Sequence, residues 1–281
     1  MPDWVTHLGT AYAGARLVRV QEAELVLLGA VLPDMAMPAF VVIEFLRLSP
    51  WDTFTYLAPF QSLTIVSLLA AAIALLHVNP RRCFLLMSGG FLTHFALDML
   101  ETDIDCGMRV LYPFSYRAWS AGWLAPGEAP SLILLLGSTI TLLIALRHRS
   151  GRARAAFRIK NLRLVVLLVV LAIALPLLTR DRLISQNVHF LAFLTDPTSW
   201  QDRTVELCYS EVVTDSSEIE EFGRRFQLMT EEPLKRGERV SVRGIYRDGQ
   251  ILPTRLYVYR GYSEAWLSLA GLLALLAIWL R

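Results

Sequence analysis

Long apolar runs constrain this chain more than any other feature of its sequence. A helix needs roughly 20 apolar residues to cross the hydrocarbon core of a bilayer, and somewhat fewer when its ends snorkel. Five runs approach or reach this length, at residues 54–78, 83–100, 131–146, 162–178 and 265–280. The content of 54% hydrophobic residues also exceeds what a soluble domain with a polar surface needs. The sequence therefore predicts a multi-pass protein of the cell membrane, a helical bundle with about five transmembrane helices.

The basic residues predict how these helices are oriented. Arg81 and Arg82 follow the first run, and a short loop rich in arginine and lysine separates the third run from the fourth at residues 147–163. Loops of this composition stay on the cytoplasmic side of a membrane. Residues 100–130 and 179–264 are therefore expected on the outer face. The net charge of +2 adds little to this prediction.

Two helical segments precede the first long run, at residues 4–20 and 22–32. Each is too short and too polar to span a membrane alone, so we interpret the pair as an N-terminal helical hairpin. If its closed end points inward, antiparallel packing brings residues 3–7 beside Leu32, Pro33 and Asp34 at the outer end.

The outer segment has a different pattern, with alternating strand-like runs at residues 204–213, 224–229, 239–246 and 250–259. Asp248-Gly249 between the last two runs is typical of a two-residue hairpin turn. Over residues 202–261 the pattern resembles small all-β barrels of the OB-fold. The predicted organisation is a helical membrane domain (1–180), an interfacial linker (181–201), an OB-like domain (202–261) and a C-terminal transmembrane helix (264–281).

The OB-fold resemblance implies a binding role for this domain. Many OB-folds bind nucleic acid or oligosaccharide. The usual aromatic stacking platform is not obvious here, and the predicted outer face of a membrane carries little nucleic acid. We therefore expect either a structural role or a protein partner for this domain, and no nucleic acid.

His94 and Asp98 lie inside an apolar run, four residues apart, so a helix places them on one face. A central aspartate costs ~2.5–3.5 kcal/mol to insert by translocon scales, so both side chains should have partners. Two interpretations stay open. A hydrogen bond between His94 and Asp98 can hold a helix against its neighbour, or a divalent metal can satisfy both groups.

The pair of His94 and Asp98 belongs to one of four short polar motifs in the N-terminal half of the chain. They are DWVTH at residues 3–7, LPD at 32–34, HFALD at 94–98 and LYPFS at 111–115. In this order they resemble the YdjM family of membrane-bound metal-dependent hydrolases, whose patterns are similar to those of zinc-dependent phospholipase C. The resemblance covers about residues 1–115.

The resemblance implies a metal centre and its ligands. His7, Asp34, His94 and Asp98 match the family's metal-ligating positions, and Asp34, His94 and Asp98 would also be the catalytic residues. Zn²⁺ is the first choice for mixed imidazole and carboxylate ligands, with Mn²⁺ or Fe²⁺ as alternatives.

Three positions leave the composition of the ligand set open. Ala36 stands where the family often has a second aspartate, and Gln61 precedes Ser62 where the family often has a histidine. Asp3 is either a further ligand or the N-cap of the first helix.

The sequence thus predicts a membrane-bound metal-dependent hydrolase that acts on an ester or phosphoester of a lipid or other amphiphile at the outer interface. Membrane lipids would be both its surroundings and the source of its substrate. The alternative is a non-catalytic membrane scaffold, in which the histidines and aspartates join helices and the OB-like domain recruits a partner protein.

Overall fold

The computed structural model describes residues 3–36, 58–100, 108–117, 119–124, 128–147, 161–186, 191–215, 217–221, 223–259 and 263–280. The predicted basic loop at 147–163 and the N-terminal part of the first apolar run lie largely outside these residues. The described residues form a group of helices and one β-barrel.

The helices are listed here in chain order: α1 Trp4–Leu17, α2 Ala23–Val31, α3 Leu63–Leu75, α4 Pro80–Leu100, α5 Ala129–Arg147, α6 Leu162–Leu178, α7 Arg180–Gln186, α8 Leu191–Thr195 and α9 Ser263–Leu280. Short 3₁₀ helices occupy Leu32–Ala36, Ala58–Gln61 and Pro197–Trp200. The strands are β1 Thr204–Val212, β2 Glu218–Glu221, β3 Arg224–Leu228, β4 Arg239–Arg247 and β5 Gln250–Tyr259.

The predicted N-terminal hairpin is confirmed, since α1 and α2 pack together and are joined by a short turn. Asp3 is the N-cap of α1, because its carboxylate accepts from both the backbone N–H and the hydroxyl of Thr6, each at 3.0 Å. At the closed end, Arg82 Nη2 lies 2.5 Å from Glu22 Oε2. The closed end of the hairpin therefore lies beside the start of α4, and its open end faces the end of α4 that carries Asp98.

Glycines allow the helices around this hairpin to touch backbone to backbone. A Cβ on Gly90 of α4 would lie 2.0 Å from the carbonyl oxygen of Val26, and one on Gly29 of α2 would lie 2.1 Å from that of Met87. Small residues at such crossings are typical of helix pairs in membranes, where close backbone approach maximises van der Waals contact. The α2–α4 contact fixes where the side chains of α4 fall relative to the hairpin.

Two helices of the described chain are long and apolar enough to cross a membrane, α4 with 21 residues and α5 with 19. Three further apolar helices are shorter, at Leu63–Leu75, Leu162–Leu178 and Trp266–Leu280. The sequence predicted five spanning helices, but only two of the described helices have the length and composition to span a membrane. Ser62 caps α3 with its hydroxyl on Ile65 N–H, so this helix begins well inside the predicted run at 54–78.

The β-strands form a closed barrel in the order β1-β2-β3-β5-β4, with β4 returning to pair with β1. Adjacent strands are antiparallel except β3 and β5, which are parallel. Asp248 and Gly249 both have positive φ, 50° and 82°, as the predicted hairpin turn requires. This all-β unit is a closed five-stranded barrel compatible with an OB-fold. The short strand β2 was not predicted.

The core of the barrel extends beyond residues 202–261. Phe193, Leu194 and Trp200 are buried with the inward-facing residues of the strands, and the Phe193 ring stacks on Phe226 at a centroid distance of 5.0 Å. These three side chains belong to the segment predicted as an interfacial linker. The packed unit therefore begins near residue 191.

Candidate metal centre

All four side chains predicted as ligands are buried. The exposed fractions are 0% for His7, 0% for His94, 2% for Asp34 and 5% for Asp98. His7 lies in the first half of α1, Asp34 in the 3₁₀ helix after α2, and His94 and Asp98 near the end of α4. The hairpin and the α2–α4 contact therefore bring residues from three parts of the sequence to the same end of the helices.

Asp98 contacts both histidines. Its Oδ1 is 3.1 Å from His7 Nε2, and its Oδ2 is 3.0 Å from His94 Nε2. The ligating atoms of His7, His94 and Asp98 all lie within 4.8 Å of one another, so the three side chains could hold a metal ion. They are also within ion-pairing distance of each other, so the geometry accommodates a direct interaction as well.

The hydrogen bonding of these atoms favours a site for an ion. Among the residues that the structure describes, His7 Nε2, His94 Nε2 and Asp98 Oδ1 have no hydrogen-bond partner of acceptable angle. Buried polar atoms are rarely left unpaired, because each costs about 1–3 kcal/mol. Three such atoms facing one another are what a set of ligands presents to a cation.

The imidazole of His94 is held in orientation by the opposite ring nitrogen. Its Nδ1 lies 2.7 Å from the carbonyl oxygen of Ala30, which accepts only if Nδ1 carries the proton. Nε2 then faces Asp98 and Asp34, and in the neutral imidazole it carries the lone pair that a metal ion would need. The ring of His7 stacks on that of His94 with centroids 3.9 Å apart. A bond from a ligating histidine to a backbone carbonyl is a common feature of metal sites.

Asp34 lies at the edge of the three-residue group. Its Oδ1 is 3.6 Å from His94 Nε2. Trp4 Nε1 donates to its Oδ2 at 3.0 Å, and Gln61 Nε2 donates to its Oδ1 at 3.3 Å. The structure therefore places Asp34 beside the group, with both carboxylate oxygens already accepting from neutral donors.

The separations can be compared with those of a metal coordination sphere. Ligands about 2.0–2.2 Å from a tetrahedral zinc ion stand about 3.3–3.6 Å from one another. The distances of 3.0 and 3.1 Å between Asp98 and the two histidines are shorter than this and equal those of a direct ion pair, and the 3.6 Å between Asp34 and His94 lies within the range. The donor set of two imidazoles and two carboxylates also offers no soft sulfur ligand, which suits Zn²⁺, Mn²⁺ or Fe²⁺.

Other predicted polar elements have different roles. Asp3 caps α1 and so is not oriented as a ligand. Tyr112 of the LYPFS motif is fully buried, lies 2.5 Å from Thr179 Oγ1 through its hydroxyl, and packs with Ile65 and Ala172. Ala36 ends the 3₁₀ helix and supplies no ligating atom.

Trp4 and Gln61 are residues of the site that sequence reasoning did not select as contacts. Trp4 was read only as part of the DWVTH motif, and Gln61 only as the place of a missing histidine. Both residues lie at motif positions, which was a reason to consider them. Their contacts with Asp34 depend on how α1 and α3 pack, and residue spacing within a motif does not predict that packing.

Comparison of the chain with protein-family models, curated proteins and solved structures finds no match. The chemistry of the site therefore has to be argued from its own residues. The geometry defines a buried His-His-Asp group with a second carboxylate beside it.

Proposed function

We propose that this chain is a membrane-bound metal-dependent hydrolase of an ester or phosphoester carried by a lipid or other amphiphile. The observation that supports this most directly is the set of three buried ligand atoms, on His7, His94 and Asp98, that face one another without hydrogen bonds. A divalent ion bound there would supply Lewis-acid chemistry, polarising the ester and acidifying a water molecule.

The residues around that site would have different roles in binding the ion. His7, His94 and Asp98 would hold the ion, and the Ala30 carbonyl fixes the orientation of the His94 ring. Asp34 would be a further ligand, because its Oδ1 lies 3.6 Å from His94 Nε2. Zn²⁺ is the proposed ion, since this ligand set matches its preference for nitrogen and oxygen.

The apolar surface of the helices supports a membrane location with several spans. Ile133 on α5, Val170 on α6 and Leu273 on α9 are 71%, 53% and 58% exposed, and other large apolar residues on these helices are exposed with them. Soluble proteins seldom expose contiguous apolar patches of this kind. We therefore propose that α6 and α9 also lie in the bilayer. Long polar side chains at their ends would reach the headgroups and compensate for the shorter helices.

The orientation follows from charge. The exposed Arg81 and Arg82 mark the cytoplasmic end of α4. His94 and Asp98 lie near the other end, so the proposed site is at the outer interface, level with lipid headgroups. An amphiphile is the substrate class that reaches a site at this depth.

A second function, a non-catalytic membrane scaffold, is favoured by a different observation. All four side chains are buried, and closed metal sites in proteins are typically structural rather than catalytic. In such a scaffold the group would join α1, α2 and α4, and the barrel would bind a partner protein.

Metal analysis of the purified full-length chain tests the metal site itself. We expect about one zinc per chain, strong loss in His94→Ala and Asp98→Ala, and no loss in His77→Ala, whose ring bonds to Asn79 at the opposite end of α4. A wild-type chain that holds no divalent metal above the level of His94→Ala would refute the metal centre.

Turnover separates the two functions once metal is present. Zinc-loaded protein in mixed micelles is assayed against a phospholipid and a chromogenic phosphodiester, with Asp34→Ala and His77→Ala as the impaired and control variants. Hydrolysis that needs zinc and Asp34 supports the hydrolase. Full zinc occupancy without hydrolysis of either ester supports the scaffold.

A further inference from the structure

Among the residues that the structure describes, Trp4 and Gln61 donate hydrogen bonds to Asp34, and they reach it from two different helices. Trp4 opens α1, and Gln61 ends the 3₁₀ helix that leads into α3. Trp4 Nε1 is 3.0 Å from Asp34 Oδ2, and Gln61 Nε2 is 3.3 Å from Asp34 Oδ1. Each carboxylate oxygen therefore has one neutral N–H donor.

We infer that Trp4 and Gln61 are positioning residues that hold Asp34 in its place at the metal centre. This inference rests on the proposed metal site and deepens it. The indole N–H is a donor only, so its partner must be an acceptor oxygen. The Trp4 indole and the Gln61 amide each contact a different oxygen of Asp34, and together they fix which oxygen faces His94.

The chemistry of buried carboxylates gives a reason for this arrangement. Asp34 is only 2% exposed, and an ionised carboxylate is costly to bury unless it is hydrogen-bonded or paired. Lysine or arginine at these positions would compete with a metal for the carboxylate. Neutral donors satisfy the oxygens while leaving the negative charge for a cation, as partners of metal-ligating carboxylates commonly do.

Trp4 is also in close contact with α9. A Cβ on Gly271 of α9 would lie 2.6 Å from Trp4 Cβ, so α9 packs against the first turn of α1 with no side chain between them. This contact fixes the backbone and Cβ of Trp4, from which the indole N–H reaches Asp34 Oδ2. Asp34 is thus positioned through a chain of contacts from α9 through Trp4.

The experiment measures zinc affinity of the full-length chain in detergent, by competition with a chromogenic chelator. Trp4→Phe keeps an aromatic ring but removes the N–H, and Gln61→Leu keeps the approximate volume but removes the donor. We expect each to weaken zinc binding by about 10–100-fold, as loss of a partner of a metal ligand typically does.

Ser138→Ala is the matched control. Ser138 Oγ is 3.1 Å from Thr10 Oγ1 in the contact between α1 and α5, so this variant also removes one helix-packing hydrogen bond, but away from Asp34. We expect its zinc affinity to stay within about threefold of wild type. The visible absorption of the Co²⁺-loaded chain should change in Trp4→Phe and Gln61→Leu and remain unchanged in Ser138→Ala.

A double-mutant cycle tests whether the two residues act through Asp34. In an Asp34→Ala background, Trp4→Phe and Gln61→Leu should have no further effect on zinc affinity, because their partner is gone. Equal weakening with and without Asp34 would overturn the inference, as would affinities within threefold of wild type in both single variants. In either case the metal site would stand. A wild-type chain that binds neither Zn²⁺ nor Co²⁺ would overturn both proposals.

Discussion

Glu221 carries a buried carboxyl in the barrel, at the end of β2. Burial raises the pKa of this group to about 7, although the Arg239 guanidinium opposes the shift. The folded barrel therefore holds this proton more tightly than the unfolded chain, in which the pKa is near the ordinary value of 4.5. The stabilisation is complete below the unfolded pKa and is lost as the pH rises through about 7.

Glu221→Gln should remove this pH dependence, because glutamine resembles the neutral carboxylic acid. We expect the variant barrel to be more stable than wild type at pH 8, on the order of 2–3 kcal/mol, with a much smaller difference at pH 5. Hydrogen exchange of β1 and β2 amides in the full chain, corrected for intrinsic rates, measures the effect. Equal protection of the two proteins at pH 8 would contradict it.

Residue-level features were predictable where they depend on local spacing. His94 and Asp98 share a face because they are four apart on one helix, and the short hairpin turn placed His7 near Asp34. The contacts of Trp4 and Gln61 with Asp34 were not predictable, since they require the packing of α1 and α3 around the 3₁₀ helix. The spacing of residues within one helix does not specify which other helix that helix will pack against.

At the scale of elements, the contact between α2 and α4 sets the geometry of the metal centre. Gly90, His94 and Asp98 are spaced four residues apart, so they lie along one face of α4. Gly90 lies against α2 at the turn where Ala30 accepts from His94. A side chain at position 90 would therefore separate the helices beside the site.

Gly90→Ala should lower both the zinc affinity and the thermal stability. Its Cβ would lie 2.0 Å from the Val26 carbonyl oxygen, a backbone atom that cannot move aside without shifting α2. Gly89→Ala is the control, because a Cβ at Gly89 meets nothing within 4 Å. We expect at least tenfold weaker zinc binding in the first variant and wild-type binding in the second. Chelator competition and a thermal melt of the detergent-solubilised chain make the comparison.

The barrel should fold independently when its N-terminal segment is included. We expect residues 191–261 to give a cooperative, β-rich fold by circular dichroism. The shorter fragment 202–261 lacks Phe193 and Trp200, and loss of a buried aromatic side chain costs about 3–5 kcal/mol, so it should be largely unfolded. A stable 202–261 fragment would show that these aromatic residues are dispensable.

The sequence predicted four of the five strands because their apolar residues alternate and the Asp248-Gly249 turn is specific. β2 was missed, since Glu218–Glu221 contains three glutamates and one isoleucine and carries no clear strand pattern. The segment around Phe193 belongs to the predicted interfacial linker (181–201), which the sequence places at the membrane surface because its helical pattern has one apolar face. Its apolar face is instead covered by the barrel, and amphipathicity alone does not say which apolar surface a helix will meet.

At the scale of the whole molecule, the orientation in the membrane decides which leaflet supplies a substrate. In a chain whose native cysteines have been replaced, single cysteines at Arg81 and Glu231 report on the two sides. We expect an impermeant maleimide to label Glu231→Cys in intact cells, and Arg81→Cys only after permeabilisation, because of the basic residues at the start of α4. The reverse pattern would place the barrel and the metal centre on the cytoplasmic side.

The packing of Gly271 against Trp4 has a consequence for how the protein is made. α1 leaves the ribosome first and α9 last, with the whole barrel synthesised between them. Trp4 gains the contact with Gly271 only after the barrel has been synthesised and α9 has packed against α1. In the proposed metal centre, the Asp34 side would therefore be completed last, when α9 has packed against the first turn of α1.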